Sequence, residues 1–142
     1  MKEVVEFLNA NSNGSLATVA GNKPCLRPWG FMLEQDGKFW FCTANNKDVF
    51  KQLQANPAIA FCATSKEMVT VRLMGEIKFS SDMKMKQTII DHCALVKSIY
   101  QTADNPIFEI FYLEHGQAIM FDFSGQPPKI YRSLLQKVRS GL

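Results

Sequence analysis

The chain has 142 residues, 46% of them hydrophobic, and a formal net charge of +3. That length suits one domain with a real core, residues 1–142, and that apolar content excludes a disordered chain. No apolar run reaches the roughly 18 residues of a bilayer span and no basic block grips nucleic acid, so neither membrane nor nucleic acid is an expected partner.

The N-terminus, MKEVVEFLNANSNG, carries Glu3 and Glu6 inside its apolar stripe. It reads as an amphipathic helix with Val4, Phe7, Leu8 and Asn11 on one face, ended by Asn13-Gly14, and the expected compartment is the cytoplasm. A strand over residues 15–20 follows, closed by a turn at Gly21-Asn22-Lys23-Pro24. A second strand covers residues 25–33. Asp36-Gly37 turns it into a third, residues 38–42. A helix over 47–55 stops before Pro57, and a strand over 58–63 comes next.

The strongest alternation is MVTVRLMGEIKF, residues 68–79. Val69, Val71, Leu73, Ile77 and Phe79 share one face, with Gly75 interrupting it, which predicts a half-buried strand with a bend or bulge. Ser81-Asp82 caps a helix over 83–100. After the breaker Asp104-Asn105-Pro106 come strands over 107–113 and 118–123, joined at Glu114-His115-Gly116-Gln117. Pro127-Pro128 leads to a basic tail with Arg132, Lys137 and Arg139. The expected fold is mainly β (α+β), an antiparallel barrel of six or seven strands with peripheral helices. Cys25, Cys42, Cys62 and Cys93 form no C-x-x-C pair and read as buried free thiols, and no metal site is expected.

Two segments carry chemistry. Asn46 is a candidate N-cap for the helix that opens at Lys47, whose first-turn N–H groups can hold an anion. Thr43 adds a hydroxyl, and Lys47 and Lys51, four apart, add charge on one side. From this segment alone a capped helix with solvated lysines remains open, since Asp48 already complements the helix dipole. The second segment, CLRPWGF, puts Arg27, Trp29 and Phe31 on one face of a strand. Arg27 is a forked donor suited to phosphate, and Pro28 belongs on a sheet edge. If this strand pairs with 38–42 through the hairpin, Arg27 falls opposite Asn45 and near Thr43 and Lys47. The other reading of Arg27 is a surface ion pair. His92 reads as a partly buried or interface side chain and His115 as exposed loop.

The order G-S-L-A-T-V (14–19), P-C-L-R-P (24–28), D-G-K-F-W-F-C-T (36–43), K-x-x-x-K-Q-L-x-x-N-P (47–57) and V-R-L-M-G-E-I (71–77) resembles the pyridoxamine 5′-phosphate oxidase-related, FMN-binding split-barrel family. The resemblance implies a split barrel that dimerises with FMN at the subunit interface. It implies that Arg27 holds the FMN phosphate, that Pro28, Trp29 and Gly30 line the flavin, that Cys42 and Thr43 meet the phosphate and ribityl chain, and that Thr70 lies near the isoalloxazine. Where the oxidases proper carry serine, arginine and lysine, this chain has Lys47, Asp48 and Val49, with Lys47 as the replacement cation. The arginine- and histidine-bearing C-terminal signature of those oxidases is not found, so their own vitamin substrate is not expected. The expectation is an FMN-dependent oxidoreductase acting between a reduced donor and a small acceptor. A non-catalytic FMN carrier and a haem-binding split barrel, with His92 or His115 on iron, are the alternatives.

Overall fold

A computed structural model describes residues 1–132. The expected tail residues Lys137 and Arg139 lie outside the described residues. The elements run α1 (Lys2–Ala10), β1 (Asn13–Ala20), β2 (Lys23–Gly30), β3 (Leu33–Gln35), β4 (Lys38–Ala44), α2 (Asp48–Ala55), β5 (Ala58–Thr64), β6 (Thr70–Ser80), α3 (Met83–His92), α4 (Ala94–Tyr100), β7 (Phe108–Phe121) and β8 (Lys129–Tyr131).

All strand pairs are antiparallel, in the order β2-β1-β5-β6-β7-β4-β3, with β8 on β7. The two ends of that path are consecutive in the chain. Phe31 N donates to Ser12 O and Met32 N to Trp40 O, so the ribbon leaves β1 and joins β4 within two residues. The sheet thereby closes into a barrel of six ribbons, split at Phe31 and Met32, and β8 is a short addition. This corrects the expected single strand over 25–33. Its first part pairs with β1, and only Leu33–Gln35 forms the hairpin with β4. Arg27 therefore sits opposite Leu16, not Asn45. Pro28 does lie on a strand that ends the hydrogen-bonded path, where its missing N–H is tolerated. Asp36 and Gly37 both have positive φ, the turn a two-residue hairpin requires.

Leu16, Phe31, Phe39, Phe41, Phe61, Val71, Leu73, Phe111 and Leu113 fill the barrel. Val4, Phe7 and Leu8 of α1 and Val49 and Leu53 of α2 pack against that core. On the outer face of β4 and β7, Trp40, Ala44, Phe108 and Ile110 are covered by Met85, Ile89 and Ile90 of α3 and Val96 and Tyr100 of α4. Each large aliphatic or aromatic side chain buried in these two clusters contributes about 1.5–3 kcal/mol to the driving force.

Five local expectations are revised. Helix α1 ends at Ala10, with Asn11 as its C-cap; Asn13 and Gly14 already belong to β1. The helix over 83–100 breaks at Cys93, which is extended at φ −125°, ψ 110°. The strands over 107–113 and 118–123 are one strand, β7. Opposite the Gly75/Ile77 irregularity, Glu114 and His115 are absorbed as a bulge, so the polar residues that suggested a turn continue the ladder. His115 is exposed as expected, but on a strand, and the four cysteines are half-buried rather than buried.

Candidate functional site

Strand β4 delivers the polar end of the site. Its alternation places Phe39 and Phe41 in the barrel and Trp40 and Cys42 toward the helices. Thr43 follows with the barrel-facing parity and is 1% exposed. The chain then turns: Lys47 N donates to Ala44 O at 3.1 Å, and Asn45 Nδ2 donates to Pro106 O and to Glu109 Oε1. Helix α2 starts at Asp48 with Lys47, not Asn46, in the extended cap position and with no side-chain cap. The expected cap is displaced because the turn places Lys47, not Asn46, in the extended cap conformation, φ −99°, ψ 152°.

A cleft of about 700 Å³ opens beside this corner. Its walls are Val5 and Asn9 of α1, the end of β2 with Pro28, Trp29 and Gly30, the split residues Phe31 and Met32, the β4 end with Cys42 and Thr43, Lys47, and His92, Cys93, Leu95, Val96, Ile99 and Tyr100 of the helical pair. Its volume falls in the range of about 300–1,000 Å³ usual for small-molecule sites. Lys47 Nζ stands 5.7 Å from the centre of the Trp29 ring, within cation–π reach. Thr43 Oγ1 is buried with no hydrogen-bond partner among the described residues. Burial pushes the Cys42 thiol up to about 12, helped by neighbouring Cys93 and opposed by Lys47. Burial, then Cys42, also raises the Tyr100 hydroxyl. Both groups are therefore neutral near pH 7, and the wall they form is uncharged. Among the described residues no cluster of three or more His, Cys, Asp or Glu is arranged for a metal.

The structure brings Pro28, Trp29, Gly30, Cys42, Thr43 and Lys47 to the wall of one cleft. It leaves four expected residues off the cleft wall. Asn46 and Lys51 are exposed. Thr70 is buried against Thr64, with their hydroxyl oxygens 3.1 Å apart. Arg27 is half-buried, and its guanidinium donates to Leu16 O, Thr18 Oγ1 and Gln52 Oε1. It makes no ion pair among the described residues, which removes the surface ion-pair reading. The helical wall was not legible. His92 is exposed rather than partly buried, yet it borders the cleft, and α4 reaches it only because the chain bends at Cys93. No local sequence signal marks that fold-back.

The arrangement pairs a cation and, among the described residues, an unmet hydroxyl at one corner with a mixed lining elsewhere: aromatic and aliphatic at Trp29, Phe31, Val96 and Tyr100, polar at Asn9, Ser12 and Asn13, acidic at Glu34. Such a site suits an elongated ligand with an anionic end and a flat apolar end.

Comparison with known proteins agrees with this description. The family model for pyridoxamine 5′-phosphate oxidase matches residues 1–114. No curated protein matches the chain. Among solved structures, a NimC/NimA family protein from Clostridium acetobutylicum is similar at 29% identity, with a TM-score of 0.85 over 92% of this chain and 90% of that one. A pyridoxamine 5′-phosphate oxidase-related, FMN-binding protein from Nostoc punctiforme shares the fold at 15% identity, with a TM-score of 0.71 over 91% and 87%. A heme-binding protein from Mycobacterium smegmatis shares it at 17% identity, with a TM-score of 0.70 over 87% of this chain and 54% of that one. With a six-ribbon split barrel and a family match over 114 of 142 residues, the chain belongs to the pyridoxamine 5′-phosphate oxidase family.

Proposed function

We propose that this protein binds FMN in the cleft and acts as an FMN-dependent oxidoreductase between a reduced donor and a small acceptor. The observation that carries the reading is Thr43, a cleft-lining residue 1% exposed whose hydroxyl has no partner among the described residues. An unsatisfied buried hydroxyl costs about 1–3 kcal/mol, a cost that a phosphate or ribityl oxygen at this corner would relieve. Lys47 provides the positive charge. The first-turn amides of α2, left without a side-chain cap, provide further donors. Residues 28–30 of β2 and the walls at Val96 and Tyr100 fit a flat ring.

FMN supplies the hydride or electron transfer when bound. The chain's own residues bind the anionic end, orient the ring and keep water from it. Leu95 and Ile99, 68% and 59% exposed at the cleft, favour a second copy of the chain as the cover, making the working unit a homodimer with the site at its interface. A haem-binding barrel is a second reading, favoured by the position of His92 at the cleft wall.

The test is the absorption spectrum of the freshly purified protein, followed by mass identification of any released chromophore and titration with added FMN. Flavin bands or saturable FMN binding support the proposal. Haem bands alone, or indifference to added FMN, overturn it. With FMN bound, absence of turnover with NADH and NADPH would favour a carrier over an enzyme.

A further inference from the structure

The cleft wall carries several side chains that can hold a proton, and their surroundings sort them. Cys42 and Tyr100 keep theirs: burial pushes the Cys42 thiol up to about 12 and raises the Tyr100 hydroxyl. Cys93 also lines the cleft, but an S–H is a weak donor. Glu34 Oε1 accepts from the Gly37 amide at 2.9 Å, which ties that carboxyl to its own hairpin. Lys47 faces the Trp29 ring at the anionic end. His92 remains. It is the last residue of α3 and is exposed, and the chain bends at Cys93 directly after it, so that His92 and α4 border the same cleft. The chain has two histidines, and His115, on β7, does not line the cleft.

We infer that His92 is the proton donor to the acceptor, and that the acceptor is an uncharged, conjugated carbonyl compound of the quinone class. The role of His92 rests on the FMN reading. A quinone that takes a hydride, and with it two electrons, from the reduced cofactor is left with negative charge on one oxygen. An imidazolium N–H bond breaks, an O–H bond forms on that oxygen, and the hydroquinone leaves. The neutral imidazole then regains a proton from water, which the exposure of His92 permits. Histidine suits this exchange because its charge changes between about pH 5 and 8, so it both gives and recovers a proton near neutrality. Beside His92 the wall is apolar at Val96 and Tyr100, where an oxygen anion without a donor would be poorly solvated. The uncharged class follows from the same wall. Among the described residues Lys47 is its one lysine or arginine, and the phosphate takes that charge. Glu34 would repel a second anion.

Two measurements on the full chain test this. The first needs no turnover. The imidazole C–H signals of the two histidines are followed by NMR while duroquinone, whose fully substituted ring does not alkylate thiols, is added to the oxidised, FMN-loaded protein. The signal missing from His92→Gln identifies His92. A saturable shift at His92 with His115 unmoved is expected. No shift at His92, or an equal shift at both, overturns the inference.

The second compares two oxidants on the photoreduced, FMN-loaded protein. Duroquinone takes two electrons and needs protons; ferricyanide takes one electron and needs none. In His92→Ala the ratio of the duroquinone rate to the ferricyanide rate should fall about 10²–10⁴-fold, the usual worth of a general acid. Added imidazole should restore part of that ratio, and His115→Ala should keep the wild-type value. An unchanged ratio in His92→Ala overturns the inference. So does a fall of both rates together, which marks lost flavin or lost structure rather than a lost proton. A wild type that takes up no flavin ends the FMN proposal and the role of His92 with it, and its spectrum reveals this before any variant is made. A wild type that takes up flavin, with an unchanged ratio in the variant, ends the role of His92 alone.

Discussion

Gly75 and Gly116 are partners across β6 and β7, and neither position has room for a side chain. A Cβ on Gly75 would lie 2.8 Å from the His115 carbonyl oxygen, and one on Gly116 would lie 2.6 Å from that of Met74. Both obstacles are backbone, so the strands would have to separate. The pair sits where the register shifts before Ile77, and the shift bends the sheet toward closure. Gly116→Ala should therefore destabilise the protein by about 1–3 kcal/mol, the usual cost of overpacking. A urea midpoint equal to wild type would show that the bulge relaxes freely.

Thr43→Val replaces a buried, unpartnered hydroxyl by a methyl of similar size. Without ligand the variant should be as stable as wild type or more stable by up to about 1 kcal/mol, because an unsatisfied polar group is removed. Its affinity for FMN should fall by about 1.5–3 kcal/mol if the hydroxyl meets the charged phosphate. Thermal melts with and without FMN read both quantities, and equal FMN stabilisation in the two proteins would place the phosphate elsewhere.

Lys47 and Lys51 are four residues apart, but only Lys47 borders the cleft. Lys47→Ala should weaken FMN binding by about 1.5–3 kcal/mol and leave riboflavin binding nearly unchanged. Lys51→Ala should shift neither by more than about 0.5 kcal/mol, as for most surface substitutions. Titration by flavin fluorescence quenching distinguishes them; equal effects from both lysines would return the anion site to the outer face of α2.

Cys42 has its thiol raised from an ordinary 9.0 to about 12, chiefly by burial. A raised folded-state value means that the folded protein keeps this proton when the unfolded chain has lost it. The contribution is thus complete below pH 9 and is lost as pH climbs from about 9 toward 12, at no more than about 1.4 kcal/mol per pH unit. Cys42→Ala should flatten the decline of stability across that interval, measured by urea unfolding at stepped pH. The same burial predicts slow alkylation of Cys42 at pH 8. Rapid labelling of Cys42, located by peptide mapping, would contradict the environment described.

Glu3 anchors β8 to α1. Lys129 Nζ donates to Glu3 Oε2 at 3.0 Å, and the Tyr131 hydroxyl donates to Glu3 Oε1. The Tyr131 bond and then Lys129 hold the Glu3 carboxyl below its ordinary 4.5, while Glu3 pushes Tyr131 up to about 12. The lowered value means that this attachment is complete above pH 4.5 and is lost as pH falls through the folded-state value. Glu3→Gln should speed amide exchange in residues 129–131 at pH 7 and remove the acid dependence of that exchange.

Several features were readable in the residues alone because they are local. Alternation in 68–79 marked β6, and the one glycine breaking that alternation marked its irregularity. Pro28 named an edge, because a residue without an N–H cannot sit inside a ladder. Spacing by two put Arg27, Trp29 and Phe31 on one face, and their graded burial agrees. The apolar stripes of α1 and α2 named the side chains that reach the core.

Pairing was different. Whether residues 25–33 join β1 or β4 depends on which backbone groups meet after the barrel closes, and both hairpins have acceptable turns. The answer, a split at Phe31 and Met32, moved Arg27 from the Thr43 corner to Thr18 and Gln52. The polar run at 114–117 looked like a turn because bulge residues and turn residues share composition; neighbours on β4, β6 and β8 keep β7 extended through it.

Side-chain periodicity and backbone chemistry act over a few residues, so the elements, the buried faces and half of the cleft were present in the order of the amino acids. Strand partners, the bend at Cys93 and the choice of Gln52 for Arg27 join positions tens of residues apart or turn on packing from elsewhere in the barrel. They were settled only when closure brought those positions within hydrogen-bonding distance.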